Sequence, residues 1–390
     1  MKLIFVTEAR FIKDTKGNFY GESSFNYLLW QRYLTSFSEV IIMARVSYEY
    51  SELSISSHLS SGYKVSFIEL PHFKGPVQYL KNRKDVIAKV KEGIKENDGV
   101  FICRVPGTIG NTAINYLYKN KIPFGVEVVG DPWDVFAPGS IKHIFRAYFR
   151  WSGYFNLKKN VSLASAVLYV TKNKLQERYP SDINSFQIAA SNVNIKNVLI
   201  KNKPHKHKIK QEYKIISVGS LEQMYKAPDI VLKAIKLLNN QGFCCRLIWL
   251  GDGKYKSKMI ALAKELGIFD FIDFKGNVSE EEVREFLAAA DLFVLASRTE
   301  GLPRAIIEAM SFGLPCIGTN VGGIPELLDE EVLIQKDSVQ ALTEKVIHLL
   351  ENPKLYNIQA ARNLLEASKY KQSILHTKRK RFYDYLINLK

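Results

Sequence analysis

The stretch RTEGLPRAIIEAMSFGLPCIGTNVGGIPELL (residues 298–328) carries two glutamates, Glu300 and Glu308, with seven residues between them. Pro303 suits the first turn of a helix, where its missing N–H leaves no bond unmade. The run RAIIEAMSF then continues at helical spacing until Gly313, a left-handed closing residue, and Pro315 prevents continuation. Upstream, LFVLA (292–296) reads as a strand, which puts Glu300 on the loop leaving its carboxyl end and Glu308 on the helix behind. In open parallel α/β sheets that end is where ligands bind. A helix start there offers free N–H groups and a partial positive charge, which suit a phosphate, while carboxylates accept hydrogen bonds from hydroxyls. The pattern reads as a diphosphate held between two polyols, a sugar nucleotide; two solvated glutamates on a helix face are the alternative.

Working outward, short apolar runs alternate with helical patterns along the whole chain. They fall at 2–6, 40–44, 65–68, 100–103, 124–129 and 166–170, then at 214–218, 244–250, 271–274, 292–296, 316–319 and 331–334. Most are apolar on both parities, as strands covered on both faces must be. Such alternation predicts parallel sheets with right-handed crossovers, in α/β architecture. The lysine-rich 196–212, containing Pro204, reads as a linker. Two Rossmann-like parallel-sheet domains facing across a cleft are therefore expected, over 1–205 and 206–365, with a helix in 366–390 that packs back on the first. Ser279 with Glu282 forms a capping box for the helix EEEVREFLAAA.

The 390 residues are 46% hydrophobic and 24% charged, ordinary for a globular protein of two or three domains. No apolar run approaches the roughly 18 residues of a membrane span. MKLIFVTEAR reads as a buried strand rather than a leader, which places the chain in the cytoplasm. The four cysteines, Cys103, Cys244, Cys245 and Cys316, lie in apolar runs with no metal-ligand spacing and read as reduced core thiols.

The net charge of +16 is concentrated in KHIFRAYFRWSGYFNLKKN (142–160), KNVLIKNKPHKHKIK (196–210) and HTKRKR (376–381). A solvated lysine-rich surface, anionic lipid, a polyanionic substrate and nucleic acid each fit such patches. Aromatic residues interleaved through 145–155 favour peripheral contact with an anionic membrane, at the inner face of the plasma membrane.

The block EGLPRAIIEAMSFGLPCIGTNVGGIPEL resembles the Glu-x7-Glu signature of family 4 retaining glycosyltransferases (glycosyl transferases group 1) with the GT-B fold. Further segments agree in order: VGSLEQMYKAPD (218–229), LGDGKYKSKM (250–259), FKGNVSEEEV (274–283) and AVLYVTKNKLQERYP (166–180). The resemblance covers most of the second half and is thinner over the first, where a variable acceptor would bind.

It implies transfer of a sugar from a UDP- or GDP-sugar to a hydroxyl of a sugar or lipid-linked glycan, in bacterial surface polysaccharide or glycoconjugate synthesis. Glu308 would take the ribose hydroxyls and Glu300 those of the transferred sugar, while Lys226 would neutralise the departing diphosphate. Gly219 and Gly251 would give the backbone room around the phosphates, Gly301 and Leu302 would add amide donors, and Gly276 and Asn277 would border the base. No metal or cofactor is implied, and nucleic acid is not expected as a partner.

The chain departs from the family's pattern in three places. Ser220 stands where the family often has an arginine, so Arg298 or Arg304 is expected to complete the diphosphate clamp. Where many members have a histidine, VEVVGDPWDVF offers Asp131 as a catalytic or orienting group, with Asp134 behind it; an Asp-Pro turn is the alternative. The glycine pair after the first strand is absent, leaving Gly17, and Arg104 in CRVPG is a further acceptor-side candidate. A sugar-nucleotide epimerase, a phosphorylase and a non-catalytic sugar-nucleotide-binding subunit are the competing readings.

Overall fold

The computed structural model describes residues 1–48, 58–138, 143–195 and 203–390. Lys142 and 196–202 of the basic stretches lie outside them. The chain divides into two compact units, one of Met1–Pro132, Trp151–Ala190 and His376–Lys390, the other of Trp133–Arg150 and Ser191–Leu375.

In the first unit the strands are β1 (Lys2–Lys13), β2 (Phe19–Gly21), β3 (Glu39–Tyr48), β4 (His58–Leu59), β5 (Val65–Leu70), β6 (Val100–Val105), β7 (Phe124–Val128), β8 (Ala166–Tyr169) and β9 (Phe186–Ala189). The parallel body runs β5-β3-β1-β6-β7-β8-β9, and β2 and β4 extend it antiparallel beyond the far half of β1. All six apolar runs read in this half are strands here. The β1–β2 hairpin and β9 go beyond that reading, because their sequences are too short and polar to stand out from loop. Asp14 organises the hairpin turn, its Oδ1 accepting from the N–H groups of Lys16 and Asn18.

The second unit contains β10 (Tyr213–Val218), β11 (Cys245–Leu250), β12 (Ile272–Gly276), β13 (Leu292–Leu295), β14 (Cys316–Thr319) and β15 (Leu333–Ile334). Every pairing is parallel, in the order β12-β11-β10-β13-β14-β15. The order reverses between β10 and β13, so the loops leaving these two strands diverge and open a crevice at their carboxyl ends. The sequence motifs gather there. Leu292, Phe293, Val294 and Leu295 are all buried, as a strand covered on both faces requires.

The boundary between the units differs from a division at 205/206. Residues 203–210 pack on the second unit: His205 N–H donates to the Gly313 carbonyl, His207 Nε2 lies 2.7 Å from Leu350 O, and Lys210 pairs with Asp291. At the other end, the helix Gln372–Asn388 delivers its last turns to the first unit. Tyr383 packs 5.5 Å from the Tyr33 ring and 5.4 Å from Phe37, and Gly125 leaves the space filled by Phe382 and Leu386. Among the described residues no helix is long and apolar enough to cross a membrane. Cys103, Cys245 and Cys316 are buried, Cys244 is half-buried, and all four are free thiols.

Candidate active site

The crevice of the second unit begins with Ser217, whose Oγ donates to Val294 O at 2.8 Å and ties the ends of β10 and β13 together. After Gly219 the chain makes a short turn, Met224–Lys226, and Ala227 adopts the left-handed conformation (φ 50°) to enter the helix Pro228–Asn240. A non-glycine residue in that region costs about 1 kcal/mol. The cost is borne where Lys226 must be aimed.

Lys226 Nζ donates to Glu300 Oε1 at 2.5 Å, and Ser297 Oγ donates to the same oxygen at 2.7 Å. The lysine and glutamate side chains are only 11% and 9% exposed. Burial works against the ammonium, but Glu300 and the neighbouring Tyr225 outweigh it and hold its pKa above the ordinary value. Lys226 is therefore charged at every physiological pH. Gly219 has a specific task here: a Cβ would lie 2.9 Å from Lys226 Cγ, so the lysine stem crosses over the glycine. Trp249 Nε1 donates to the Gly219 carbonyl and fixes it from below.

Glu308 stands halfway along the helix Arg304–Ser311, whose Ile306, Ile307, Ala309 and Met310 are buried. Its carboxylate is half-buried, and among the described residues none donates a hydrogen bond to it. Burial raises its pKa; Arg304 draws it down, Glu280 adds to the rise and Arg284 opposes it. A carboxylate that has lost water without gaining a donor is poised to accept hydroxyls from a ligand.

The two arginines proposed for the clamp differ sharply. Arg298 is tied down: its guanidinium makes a bidentate pair with Asp229 at 3.1 and 2.8 Å, donates to Met224 O at 2.7 Å and reaches Asp337 at 2.6 Å. Its backbone N–H also donates to Tyr225 O. Arg298 thus stitches the loop after β13 to the turn that carries Lys226. Arg304, the first residue of its helix, is exposed, and among the described residues it makes no ion pair or hydrogen bond through its side chain. Its charge acts on both Lys226 and Glu308. Arg298→Ala leaves two carboxylates and a carbonyl without their donor. It is expected to cost about 2–3 kcal/mol of stability, read as a lowered midpoint in urea unfolding.

The remaining residues expected on the donor side lie at the same strand ends. Ser220 Oγ is spent on the loop, donating to Asp252 O at 3.3 Å and accepting from Glu222 N–H, and brings no charge. Gly251 (φ 129°) donates to Gly276 O at 2.8 Å, and a Cβ on it would sit 2.2 Å from Gly219 O, so only glycine lets these three loops meet. Asn277 is exposed just beyond β12, and Leu302 is nearly buried. Gly301 O accepts from Gly323 N–H at 2.7 Å. Gly322 beside it was missed in the sequence; with φ 52°, its Cβ would lie 1.9 Å from Glu300 O. Its only signal was the Gly-Gly pair after a strand. Ser297 likewise carried no signal, since its role depends on where Glu300 folds back.

In the first unit, Asp131 follows β7 and is buried, its carboxylate accepting from Arg178 and, at 2.6 Å, from the Tyr179 hydroxyl. Arg104, at the end of β6, is half-buried with its guanidinium 5.0 Å over the Phe25 ring. Gly17 (φ 83°) is an exposed residue of the β1–β2 turn. Asp134 belongs to the second unit, half-buried in the single helical turn Pro132–Val135. Glu8 escaped the sequence reading: its Oε2 accepts from Ile109 N–H at 2.9 Å, capping the helix Thr108–Lys119. Among the described residues no three His, Cys, Asp or Glu side chains are grouped as metal ligands.

Two units built on parallel sheets, with a lysine–glutamate pair and a second glutamate at the strand ends of the latter, are the GT-B form of a glycosyltransferase. Sucrose-phosphate synthase from Thermosynechococcus elongatus shares the fold over 100% of both chains, with a TM-score of 0.71 at 14% identity. HepE of Anabaena, solved with UDP and glucose, does so over 99% of each chain with a TM-score of 0.67 at 16% identity. The chain belongs to the family described as glycosyl transferases group 1, whose sequence profile matches residues 200–364. Protein CapJ of Staphylococcus aureus is 32% identical over 348 residues, 89% of this chain and 85% of that protein. The putative teichuronic acid biosynthesis glycosyltransferase TuaC of Bacillus subtilis is 28% identical over 75% of this chain and 72% of its own.

Proposed function

We propose that this enzyme transfers a sugar, with retention of configuration, from a UDP- or GDP-sugar to a hydroxyl of a growing bacterial surface polysaccharide or glycoconjugate. The observation that carries the reading is the constellation at the β10/β13 crevice. Among the described residues it holds a carboxylate, Glu308, that accepts no hydrogen bond, a Lys226 kept charged by Glu300, and an Arg304 whose side chain makes no ion pair or hydrogen bond. Names among the relatives point the same way, TuaC to teichuronic acid and HepE to a UDP complex with glucose.

In this reading Lys226, Arg304 and the helix start hold the diphosphate, Glu308 holds the ribose and Glu300 the transferred sugar. The bond from the anomeric carbon to the diphosphate breaks, and the acceptor oxygen bonds to that carbon on the same face. The acceptor proton passes to the departing phosphate, while fixed positive charge stabilises the leaving group. The clamp needs no metal of its own. Asp131 has both carboxylate oxygens engaged, so its part is to orient the acceptor side rather than to take a proton. Arg104 stays a candidate for acceptor contact. The reaction belongs in the cytoplasm, at the inner face of the plasma membrane, where donor and a lipid-linked acceptor meet.

Arg304→Ala is expected to leave the urea midpoint unchanged within about 0.5 kcal/mol while raising the donor KM about tenfold. Equal KM values for the variant and the wild type would remove Arg304 from the clamp. The reading as a whole is tested by release of free sugar from a panel of UDP- and GDP-sugars without acceptor, in the presence of EDTA. Slow hydrolysis of one donor, lost in Glu300→Gln, supports it. Hydrolysis of none, together with a thermal shift from a DNA oligonucleotide and not from UDP or GDP, overturns it.

A further inference from the structure

The helix Arg146–Ser162 has two faces of opposite purpose. Its inner face is committed to the first unit: Leu157, Asn160 and Val161 are buried, and Asn160 Nδ2 donates to Asn111 Oδ1. This face also braces the loop of Asp131. Gly153 allows contact with Pro132, where a Cβ would fall 2.7 Å from the proline Cβ. Tyr154 packs 5.5 Å from the ring of Tyr179, whose hydroxyl holds Asp131.

The outer face breaks the usual rule for a surface helix. Tyr148, Trp151 and Phe155, spaced three and four apart, are 67%, 52% and 59% exposed, and Ile144 and Phe145 just before the helix are exposed as well. Trp151 and Phe155 stack at 5.9 Å, making one continuous apolar ridge. Lys158 and Lys159 extend this ridge, both exposed. From residue 135 to 176 the sequence contains no aspartate or glutamate, against Lys142, Arg146, Arg150, Lys158, Lys159, Lys172 and Lys174.

We propose that this face docks on an anionic lipid bilayer, with the helix lying flat, its aromatic ridge in the headgroup zone and its lysines on the phosphates. An apolar stripe edged by lysines is the composition of a helix that lies in a membrane interface. Charge disfavours self-association through the same face, because a second copy would bring further lysines to the same ridge. A single-stranded nucleic acid would use stacked rings but gains nothing from Ile144, whereas a bilayer accepts aliphatic and aromatic groups alike. Each lysine or arginine near an anionic leaflet strengthens partition about fivefold. In naming the surroundings of the acceptor the proposal rests on the function given above. It adds that the loop of Asp131 sits one helix away from the lipid, where a lipid-linked acceptor would present its sugar.

The test is co-sedimentation of the full chain with phosphatidylcholine vesicles with and without phosphatidylglycerol, at low and high salt. Three proteins are compared: wild type, Tyr148→Ser/Trp151→Ser/Phe155→Ser, and Lys158→Glu/Lys159→Glu. Wild type is expected to bind the anionic vesicles, less so at high salt, and the aromatic variant to bind about tenfold or more weakly. The charge-reversal variant should lose binding to anionic vesicles. All changed residues are exposed, so thermal unfolding and the shift produced by UDP or GDP should match wild type and read the donor site separately. Equal binding by all three proteins, no binding of wild type, or a wild-type dimer that the aromatic variant loses would each overturn the proposal. Failure of the nucleotide shift in every protein would instead count against the function assigned above.

Discussion

Lys226→Ala is expected to lower kcat for sugar transfer by about 10²–10³-fold, the usual loss when a preorganised charge at a developing anion is removed. The same change should cost about 3 kcal/mol of stability, because it leaves Glu300, 9% exposed, as a nearly buried charge without its partner. Two effects from one substitution confuse the reading, and the pair itself separates them. In Lys226→Met/Glu300→Gln both charges are gone, and most of the stability should return while the activity does not. Glu300→Gln alone strands the ammonium in the same way and should also lose transfer. If the double variant regained both stability and turnover, the pair would be a structural bridge only.

The second large effect is expected at Glu308. Hydrogen bonds to a charged acceptor contribute about 1.5–3 kcal/mol, so Glu308→Ala should raise the donor KM by about 10–150-fold, with kcat changed less. Its raised pKa adds a pH signature. The ionised form accepts ribose hydroxyls best, and ligand hydrogen bonds lower the pKa in the complex. UDP or GDP binding should therefore release a proton and weaken as pH falls through the value in the free protein. In Glu308→Gln that part of the pH dependence disappears, leaving only titration of the nucleotide phosphate. Identical profiles for variant and wild type, measured by calorimetry, would show that Glu308 does not meet the ligand.

Much of the fold was legible because its strands are covered on both faces and so write themselves as unbroken apolar runs. The strand LFVLA, the capping box at Ser279 and the closure at Gly313 (φ 68°) all follow from local chemistry. Other features depend on chain segments far apart. A last helix returning to the first unit was expected, but no local pattern picks out Phe382, Tyr383 and Leu386 as the residues it inserts, since its surface is as basic as a solvated helix. The fate of Arg298 was hidden for the same reason. Its partners Asp229 and Asp337 lie 69 and 39 residues away, and only the folded loops reveal that the guanidinium is already satisfied.

Among the site residues, the glutamates and Lys226 stood out through their motif. Ser297 and Gly322 did not, because a hydroxyl donating to Glu300 and a glycine pressed against its carbonyl are consequences of tertiary approach. Asp131 was legible as an acid at a strand end, yet Arg178 and Tyr179 occupy its carboxylate. Charge patterning marked the aromatic, acid-free segment around 145–155. The helical phase that turns Tyr148, Trp151 and Phe155 outward became readable only when the inner face was seen packed on Pro132 and Tyr179.

The most direct test is a crystal structure of the enzyme soaked with whichever of UDP and GDP raises its melting temperature. The account predicts a diphosphate oxygen within hydrogen-bonding distance of Lys226 Nζ and the Arg304 guanidinium, with the ribose hydroxyls on the Glu308 carboxylate. A nucleotide bound elsewhere, with Glu308 facing solvent and the Lys226–Glu300 pair untouched by ligand, would contradict it.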